Sequence, residues 1–273
     1  MRILQVVHGF PPANTAGTEV YTHALALGLA KRHDVSVFYR SCDFRQRDYS
    51  IMRMRYENFD VFVLNNTFRG CDGFGDTYNK EEITENFIKA LDRINPEIAH
   101  IQHLMYLSAS IIAELKKRRI PIVFTLNDYW LICPQGQLFR PDGEVCDGIS
   151  QLECESCVRY QLAIKKRIAG FYEFIRNSWA DWLLPFAKNA YLWYARKTFL
   201  SSFKATKDMR KRADFMRKAA SLVDIFIAPS KDPLTNIFPF DNIPRDVTHF
   251  LCAFIVVSHS LVRTFHIFIL PSS

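Results

Sequence analysis

The chain has 273 residues, of which 49% are hydrophobic and 23% are charged. This ordinary globular composition excludes collagen-like and disordered proteins, and it is enough for one large or two modest domains. The 35 Lys and Arg residues exceed the 28 acids, and the net charge of +7 favours an acidic partner: phosphate, nucleic acid or anionic lipid. Seven cysteines, an odd number, disfavour a fully paired disulfide framework.

The first residues predict a buried strand rather than a secretory signal. The apolar run Arg2–Val7 is too short for a signal-peptide core, and a turn follows it. The expected location is therefore cytoplasmic. A later apolar run, 250–270, is long enough to cross a bilayer, but two histidines and Arg263 within it disfavour insertion.

A helix is predicted to follow the first strand. The loop at 8–17 holds two glycines and two prolines, which end the strand. Thr18 is expected to cap a helix that runs to about Arg32. Apolar residues at helical spacing predict its buried face, and they are Val20, Ala24, Leu27 and Ala30.

Strands and helices alternate along the following segments. Strands are predicted at 34–39, 51–56, 61–64, 98–102, 121–126 and 223–228, with the pair at 51–64 suited to a hairpin. A helix ending at Pro96 starts at a capping-box-like pair, Asn79 and Glu82, and a second helix is predicted at 108–118. This alternation predicts an α/β fold, a parallel sheet with right-handed crossovers and flanking helices.

Three segments follow predicted strands and contain polar or small residues: 8–17, 102–106 and 127–130. Ligands of such sheets lie beyond the carboxyl ends of the strands, so the active cleft is expected there. The first segment precedes a helix whose backbone N–H groups favour an anion, and Gly17 allows a phosphate to approach. A structural turn explains this loop equally well, and it lacks both the GxGxxG fingerprint and the P-loop lysine.

Two histidines and one acid stand at these strand ends. His100 and His103 are predicted to point to different faces, one to the cleft and one under a helix, although a strand-end histidine is often structural. Asp128, Tyr129 and Trp130 suit a polyhydroxylated ligand, because rings cover sugar faces and a carboxylate accepts hydroxyl hydrogen bonds. A helix cap with core aromatics is the alternative.

Four cysteines are concentrated in one loop: Cys133, Cys146, Cys154 and Cys157. Four thiolates suffice for a tetrahedral structural zinc site. Their spacing is irregular and only one CxxC is present, so buried thiols, a redox pair and a disulfide remain open as well.

Positive charge is concentrated at 159–218, which holds 15 Lys and Arg against 4 acids. Aromatic residues are interleaved with this charge, a pattern that suits an anionic membrane surface. The residues expected at that surface are Lys165, Lys166, Arg167, Trp179 and Trp182. Amphipathic helices with a solvated basic face are an equal alternative, and nucleic acid is not expected because no nucleic-acid-binding motif is present.

In order and spacing, several segments resemble the N-terminal half of family-4 glycosyltransferases with the two-domain GT-B fold. The resembling segments are 1–12, 16–19, 96–104, 125–134 and 223–230, so the resemblance covers about residues 1–250. Residues 136–138 and 142–143, with Cys146 and the CxxC, resemble a Cys-containing subgroup. The resemblance implies a Rossmann-like half of a GT-B fold, with 132–158 as an inserted Cys-rich loop and 159–220 as basic aromatic helices.

The resemblance also implies a function, the retaining transfer of a sugar from a nucleotide-sugar to a lipid-linked or polysaccharide acceptor. No cofactor is required for that chemistry, and this half mainly holds the acceptor. His103 and Asp128 match the family's catalytic positions near the reacting centre. The positions implied for donor diphosphate or acceptor binding are Gly17, Thr18, Glu19, Tyr129 and Trp130.

Some positions depart from the family pattern. Ala16 replaces a common glycine, and Asn127 stands where a histidine is frequent. The donor-binding second domain with its paired glutamates is missing, and 251–273 form an aberrant hydrophobic tail. We therefore expect a truncated or frame-shifted product at the inner face of the plasma membrane, inactive alone and binding donor weakly or not at all. A non-catalytic, zinc-stabilised membrane-surface or acceptor-binding module and a functionless remnant are the alternatives.

Overall fold

The computed structural model describes residues 1–68, 70–71, 73–140, 143–146, 154, 157–158, 206–228 and 250–252. The residues predicted for a membrane surface, Lys165, Lys166, Arg167, Trp179 and Trp182, lie outside the described residues, as does most of the predicted tail. Within the described part of the chain, no helix is both long and apolar enough to cross a membrane.

The described residues form one mixed sheet flanked by helices. The strands are β1 (Arg2–Val7), β2 (Asp34–Ser41), β3 (Ile51–Tyr56), β4 (Phe59–Asn65), β5 (Ile98–Ile101), β6 (Ile122–Thr125), β7 (Ile225–Ala228) and β8 (Phe250–Cys252). The helices are α1 (Gly17–Ala30), α2 (Glu81–Ile94), α3 (Ser110–Lys117) and α4 (Thr206–Ala220), with a 3₁₀ turn at Phe74–Thr77. The strands β1 to β7 therefore begin and end within two residues of their predicted bounds.

The eight strands are ordered β3-β4-β2-β1-β5-β6-β7-β8. Every neighbouring pair is parallel except β3 with β4, which form the predicted antiparallel hairpin. The prediction of a Rossmann-like α/β sheet is thus confirmed, and the carboxyl ends of β1, β5 and β6 lie side by side.

Apolar residues of the central strand β1 supply two separate cores. Leu4 and Val6 pack on the face covered by α2, α3 and α4, while Ile3 and Val7 pack on the face covered by α1. Side chains alternate along a strand, so a continuous apolar run serves both faces at once. Burial on both sides fixes β1, and it places the next residue, His8, at the carboxyl edge of the sheet.

The buried face of α1 differs from the predicted one. The helix begins at Gly17 with Ala16 at its N-cap and no side-chain cap, so the prediction that Thr18 caps it is wrong. Its buried residues are Glu19, Thr22 and Ala26, whereas Val20 is 50% exposed. The helix is rotated so that the carboxylate of Glu19, rather than Val20, turns inward, where it meets His8.

The start of α2 also departs from the prediction. The helix has Lys80 at its N-cap and no side-chain cap, so the predicted pairing of Asn79 with Glu82 is wrong. The hydroxyl of Ser108 instead accepts a hydrogen bond from the backbone N–H of Lys80 at 3.1 Å. A contact from a distant segment thus replaces the local cap. The apolar face of the helix is buried, and it includes Ile83, Phe87, Leu91 and Ile94.

Candidate active site at the carboxyl edge of the sheet

Three side chains from neighbouring strand ends meet at the carboxyl edge. Nε2 of His103 lies 2.5 Å from Oδ2 of Asp128. The ring centroid of His8 lies 4.3 Å from that of His103, and Nε2 of His8 is 3.2 Å from Oε1 of Glu19. These contacts make a continuous chain, Glu19–His8–His103–Asp128, across the ends of β1, β5 and β6. We call these four residues the edge relay.

The tautomer of His103 follows from its hydrogen bonds. The backbone N–H of Met105 donates to Nδ1 of His103 at 2.9 Å, so Nε2 carries the ring proton and donates it to Asp128. The backbone N–H of Trp130 donates to the other carboxylate oxygen of Asp128 at 2.9 Å. The side chain of His103 is 4% exposed and that of Asp128 is 29% exposed. The histidine is therefore buried and held by a backbone contact, and the carboxylate reaches the surface.

His8 is neutral at physiological pH. Burial, and next the neighbouring His103, lower the pKa of His8 to about 3. Because Nε2 faces the carboxylate of Glu19, the proton of the neutral ring sits there and Nδ1 is an acceptor. Nδ1 of His8 and Oε2 of Glu19 are buried without a hydrogen-bond partner among the described residues. Buried acceptors of this kind suit a ligand that brings hydroxyl donors.

His100 has a different environment from His103. Its Nε2 lies 2.8 Å from Oγ1 of Thr125, and burial lowers the pKa of His100 to about 4. His103 therefore belongs to the edge relay, and His100 does not. The side-chain amide of Asn127 donates to the carbonyl oxygen of Gln102 at 3.0 Å. This hydrogen bond also joins the segments that follow β5 and β6.

Two glycines in the site are required by close approach. A Cβ atom at Gly136, whose φ is +80°, would lie 2.6 Å from Oδ2 of Asp128. A Cβ atom at Gly9 would lie 3.0 Å from Oε1 of Glu19. Gly17, the glycine predicted to admit a phosphate, has nothing within 4 Å of an added Cβ, so the space in front of α1 is open.

The two aromatic residues after Asp128 differ in exposure. Trp130 is 4% exposed, and its ring lies 5.8 Å from that of His103 between centroids. Tyr129 is half-buried, and its backbone N–H donates to the carbonyl oxygen of Gly136 at 2.8 Å. The tryptophan supports the histidine from the core, and the tyrosine is the ring nearer the surface.

Two arginines near the site, Arg40 (partly buried) and Arg212 (buried), were not found by sequence reasoning. Arg40, at the end of β2, donates from Nε and Nη2 to the carbonyl oxygen of Asn66, at 3.1 and 2.9 Å. Its guanidinium lies 4.7 Å from the ring centroid of Phe68 and 5.2 Å from that of Tyr106. Both aromatic residues have positive φ, 67° and 64°, which is rare for aromatic side chains. The position of Arg40 at the end of a strand is the one sequence signal that could have indicated its place near the site.

Arg212 on α4 is the second of these arginines, and it is 2% exposed. It donates to the carbonyl oxygens of Ile132, at 3.4 Å, and of Trp130. Burial lowers the pKa of Arg212 to about 10, while Cys133, Tyr78, Cys154 and Asp128 act in the opposite direction. The arginine thus ties α4 to the turn that follows Asp128.

The four cysteines of the Cys-rich loop share one neighbourhood. Burial raises the pKa of Cys154 to about 12, with further contributions from Cys133, Cys146 and Cys157. All four are present as thiols. Among the described residues, no three His, Cys, Asp or Glu side chains are arranged so as to hold a metal ion. The zinc site therefore stays a prediction.

A Rossmann-like sheet with polar groups gathered at its carboxyl edge defines the class of α/β domains whose ligands generally bind at this edge. The family profile of Glycosyltransferase Family 4 matches residues 15–250. The chain therefore belongs to Glycosyltransferase Family 4, which confirms the family resemblance read from the sequence. The Cys-containing subgroup stays a prediction.

Solved structures similar to this chain have low sequence identity to it. One, described as trehalose-6-phosphate from E. coli bound with UDP-2-fluoro glucose, is 11% identical, with 87% of this chain and 42% of that chain covered and a TM-score of 0.39. The sucrose-phosphate synthase of Thermosynechococcus elongatus is 15% identical, with coverages of 58% and 40% and a TM-score of 0.36. An alpha,alpha-trehalose-phosphate synthase (UDP-forming) from Burkholderia xenovorans, in complex with glucose-6-phosphate, is 11% identical, with coverages of 87% and 42% and a TM-score of 0.37.

The chain spans less than half the length of these three proteins. A search of curated proteins found no significant match.

Proposed function

We propose that this chain is the acceptor-side half of a retaining glycosyltransferase, which moves a sugar from a nucleotide-sugar to a lipid-linked or polysaccharide acceptor. Membership of Glycosyltransferase Family 4 supports the reaction class. The observation that carries the proposal is the 2.5 Å contact between His103 and Asp128 at the carboxyl edge of the sheet.

The edge relay supplies groups that suit sugar hydroxyls. The partly exposed carboxylate of Asp128 accepts hydroxyl hydrogen bonds. The buried ring of His103 fixes the orientation of this carboxylate. Nδ1 of His8 is a second acceptor, one side chain away. Acceptors fixed in advance lower the cost of orienting a hydroxyl-rich ligand. We assign His103 and Asp128 to the reacting centre on this basis.

The start of α1 suits the diphosphate leaving group. The first backbone N–H groups of any helix have no partner within the helix, and here Ala16 offers them no side-chain cap. Nothing fills the space beside Gly17. Such donors stabilise negative charge that develops in a transition state. In the proposed reaction, the bond from the anomeric carbon to the diphosphate breaks. A bond to the acceptor oxygen forms on the same face, and the proton of the acceptor passes to the diphosphate.

We further propose that donor binding needs a second domain, so that the chain alone binds nucleotide-sugar weakly and transfers little or none. The similar structures are more than twice as long as the part that this chain covers, which supports this proposal. A non-catalytic acceptor-binding module is the second candidate function, favoured because the whole edge relay lies in one domain. Transfer activity after addition of a donor-binding domain in trans would favour the enzyme over the binding module.

Glycan binding by the full chain tests the acceptor role. We expect the wild-type protein to bind a subset of a glycan array, and Asp128→Asn to weaken that binding by about tenfold or more, because it removes a charged acceptor. Asp92→Asn, at an exposed site on α2, is the matched control and should bind like the wild type. Binding that is unchanged in Asp128→Asn, in a protein that still folds, would contradict the acceptor role.

We also propose that the basic segment holds the protein on the inner face of the plasma membrane. The excess of Lys and Arg at 159–218, with interleaved aromatic residues, supports this. The full chain should float with vesicles containing anionic lipid. Combined charge reversal of Lys165, Lys166 and Arg167 should reduce the bound fraction severalfold, at roughly 1 kcal/mol per charge. Lys89→Glu, on α2, is the control. Equal flotation of all three proteins would exclude this attachment.

A further inference from the structure

A positively charged side chain stands beside the edge relay at the end of β2. Val7, the last residue of β1, is paired in register with Tyr39 of β2. The residues that follow them, His8 and Arg40, therefore lie side by side at the carboxyl edge. Burial is the largest cause of the lowered pKa of His8, and the charge of Arg40 acts in the same direction. A ligand held by the edge relay is thus expected next to this arginine.

Segments that follow β4 and β5 hold the guanidinium of Arg40 in place. Two of its nitrogens, Nε and Nη2, donate to the carbonyl oxygen of Asn66. The side-chain amide of Asn66 donates to the carbonyl oxygen of Tyr106 at 3.0 Å, and its Oδ1 accepts from the backbone N–H of Phe68 at 3.0 Å. The rings of Phe68 and Tyr106 both lie against the guanidinium. The arginine is therefore fixed in orientation before any ligand binds.

The two rings beside Arg40 are held in an unfavourable backbone conformation. Phe68 and Tyr106 have φ values of 67° and 64°, in the left-handed region that bulky residues rarely adopt. Such conformations persist where surrounding contacts enforce them, and they are concentrated at functional sites. Asn66, which is 4% exposed, supplies the enforcing hydrogen bonds here. The fold thus accepts two unfavourable positions that keep aromatic rings on one cation.

Arg40 has no carboxylate as an ion-pair partner within the described part of the chain. Burial lowers the pKa of Arg40, and Asp48 is the carboxylate that acts in the opposite direction. Asp48 instead accepts hydrogen bonds from the backbone N–H and the hydroxyl of Thr67, at 2.9 and 2.8 Å. The hydrogen bonds from Arg40 to Asn66 go to a neutral oxygen and use only part of its N–H donors. A partly buried cation without an anion is costly, and an anionic group on a ligand would compensate it.

We propose that the acceptor carries an anionic group, a carboxylate or a phosphate, that Arg40 binds through its other N–H groups. This inference rests on the proposed function, because it names the class of acceptor that the edge relay would hold. A guanidinium presents its donors in a planar fork that matches the oxygens of both groups. Asp128 and His8 would then bind hydroxyls of the sugar, while Arg40 binds its charge.

A glycan array that holds acidic glycans beside their neutral counterparts tests the proposal on the wild-type chain. The acidic members are uronic acids and glycosyl phosphates, and the stronger of the two shows the source of the charge. We expect acidic members to bind about tenfold more tightly than matched neutral ones. This preference should shrink severalfold between about 0.05 and 0.5 M salt, because salt screens the charge. Equal binding of acidic and neutral members would overturn the proposal, and no binding at all would overturn the acceptor role with it.

Variants separate this proposal from the proposed function. Arg40→Met should lose the preference for acidic glycans, whereas Arg40→Lys should keep part of it, because the charge remains and the planar fork does not. Arg118→Met, which removes a surface partner of Asp92, is the matched control and should bind like the wild type. Asp128→Asn should weaken acidic and neutral glycans alike. An unchanged preference in folded Arg40→Met, with binding that still depends on Asp128, would overturn this proposal and leave the proposed function standing.

Discussion

Charged side chains have opposite environments at the two edges of the sheet. At the amino edge, where the parallel strands begin, charged side chains are exposed and paired: Arg2 with Glu97, and Lys116 with Asp224. At the carboxyl edge, Glu19 and Arg212 are buried and Arg40 is partly buried, and these charged groups have histidine, carbonyl or ring partners. Exposed pairs contribute little to stability and serve solubility. Buried charged groups with incomplete partners are costly, and their concentration at the carboxyl edge supports the proposal that the site lies there.

The largest expected effect concerns the contact of Gly136 with Asp128. Gly136→Ala should lower the free energy of unfolding by about 3 kcal/mol, because the new methyl group meets a carboxylate oxygen at a left-handed backbone position. Gly143→Ala is the matched control, since Gly143 also has positive φ, +98°, but has open space around it. It should cost about 1 kcal/mol. Equal losses in denaturant titrations would mean that the carboxyl edge is not tightly packed.

The next effect is a loss of stability in acid that comes from the buried histidines. The pKa of His8 is about 3 and that of His100 about 4, both below the ordinary 6.5, so the unfolded chain binds more protons than the folded one. Stability should therefore be complete above pH 6.5 and fall as the pH drops towards 4, by roughly 1–2 kcal/mol for each histidine at pH 5.

Replacement of the buried imidazole checks the source of this pH dependence. His100→Gln should make the dependence of the unfolding free energy between pH 7 and 5 shallower, since its amide still reaches Thr125 but does not titrate. His33→Gln, in the turn before β2, is the control. A profile as steep in His100→Gln as in the wild type would assign the acid sensitivity to other groups.

The smallest effect is expected at the amino edge. Lys116→Met removes an exposed partner of Asp224, and the free energy of unfolding should change by less than about 1 kcal/mol. Thermal or denaturant unfolding measures it. A loss as large as that of Gly136→Ala would show that both edges depend on their charges equally, and the contrast between them would fail.

The sequence could predict the sheet and two members of its site, because both follow from short-range pattern. Apolar β-branched runs indicated the strands, and the rule that ligands lie beyond strand ends selected the segments that contain His103 and Asp128. The family resemblance then singled out these two residues within them. The prediction of the buried face of α1 was wrong. Hydrophobic periodicity places Val20 inward, whereas pairing with His8 turns Glu19 inward instead.

The sequence pattern could not predict contacts between distant segments. Ser108 takes the place of a local cap at the start of α2, and Arg212 bonds to a turn some 80 residues earlier along the chain. Neither residue stands in a recognisable motif, and each acquires its partner only when the helices dock on the sheet. Propensity and spacing describe one element at a time, so such contacts appear only in the folded chain.

Three side-chain contacts between the ends of β5 and β6 have the same separation along the chain. His100 with Thr125, Gln102 with Asn127 and His103 with Asp128 are each 25 residues apart. A slip of one residue between these strands would break all three hydrogen bonds together and turn the side chains to the opposite face. The pair of His103 and Asp128, which we propose to lie at the reacting centre, therefore also selects the correct strand alignment, and a misaligned sheet would lack the edge relay.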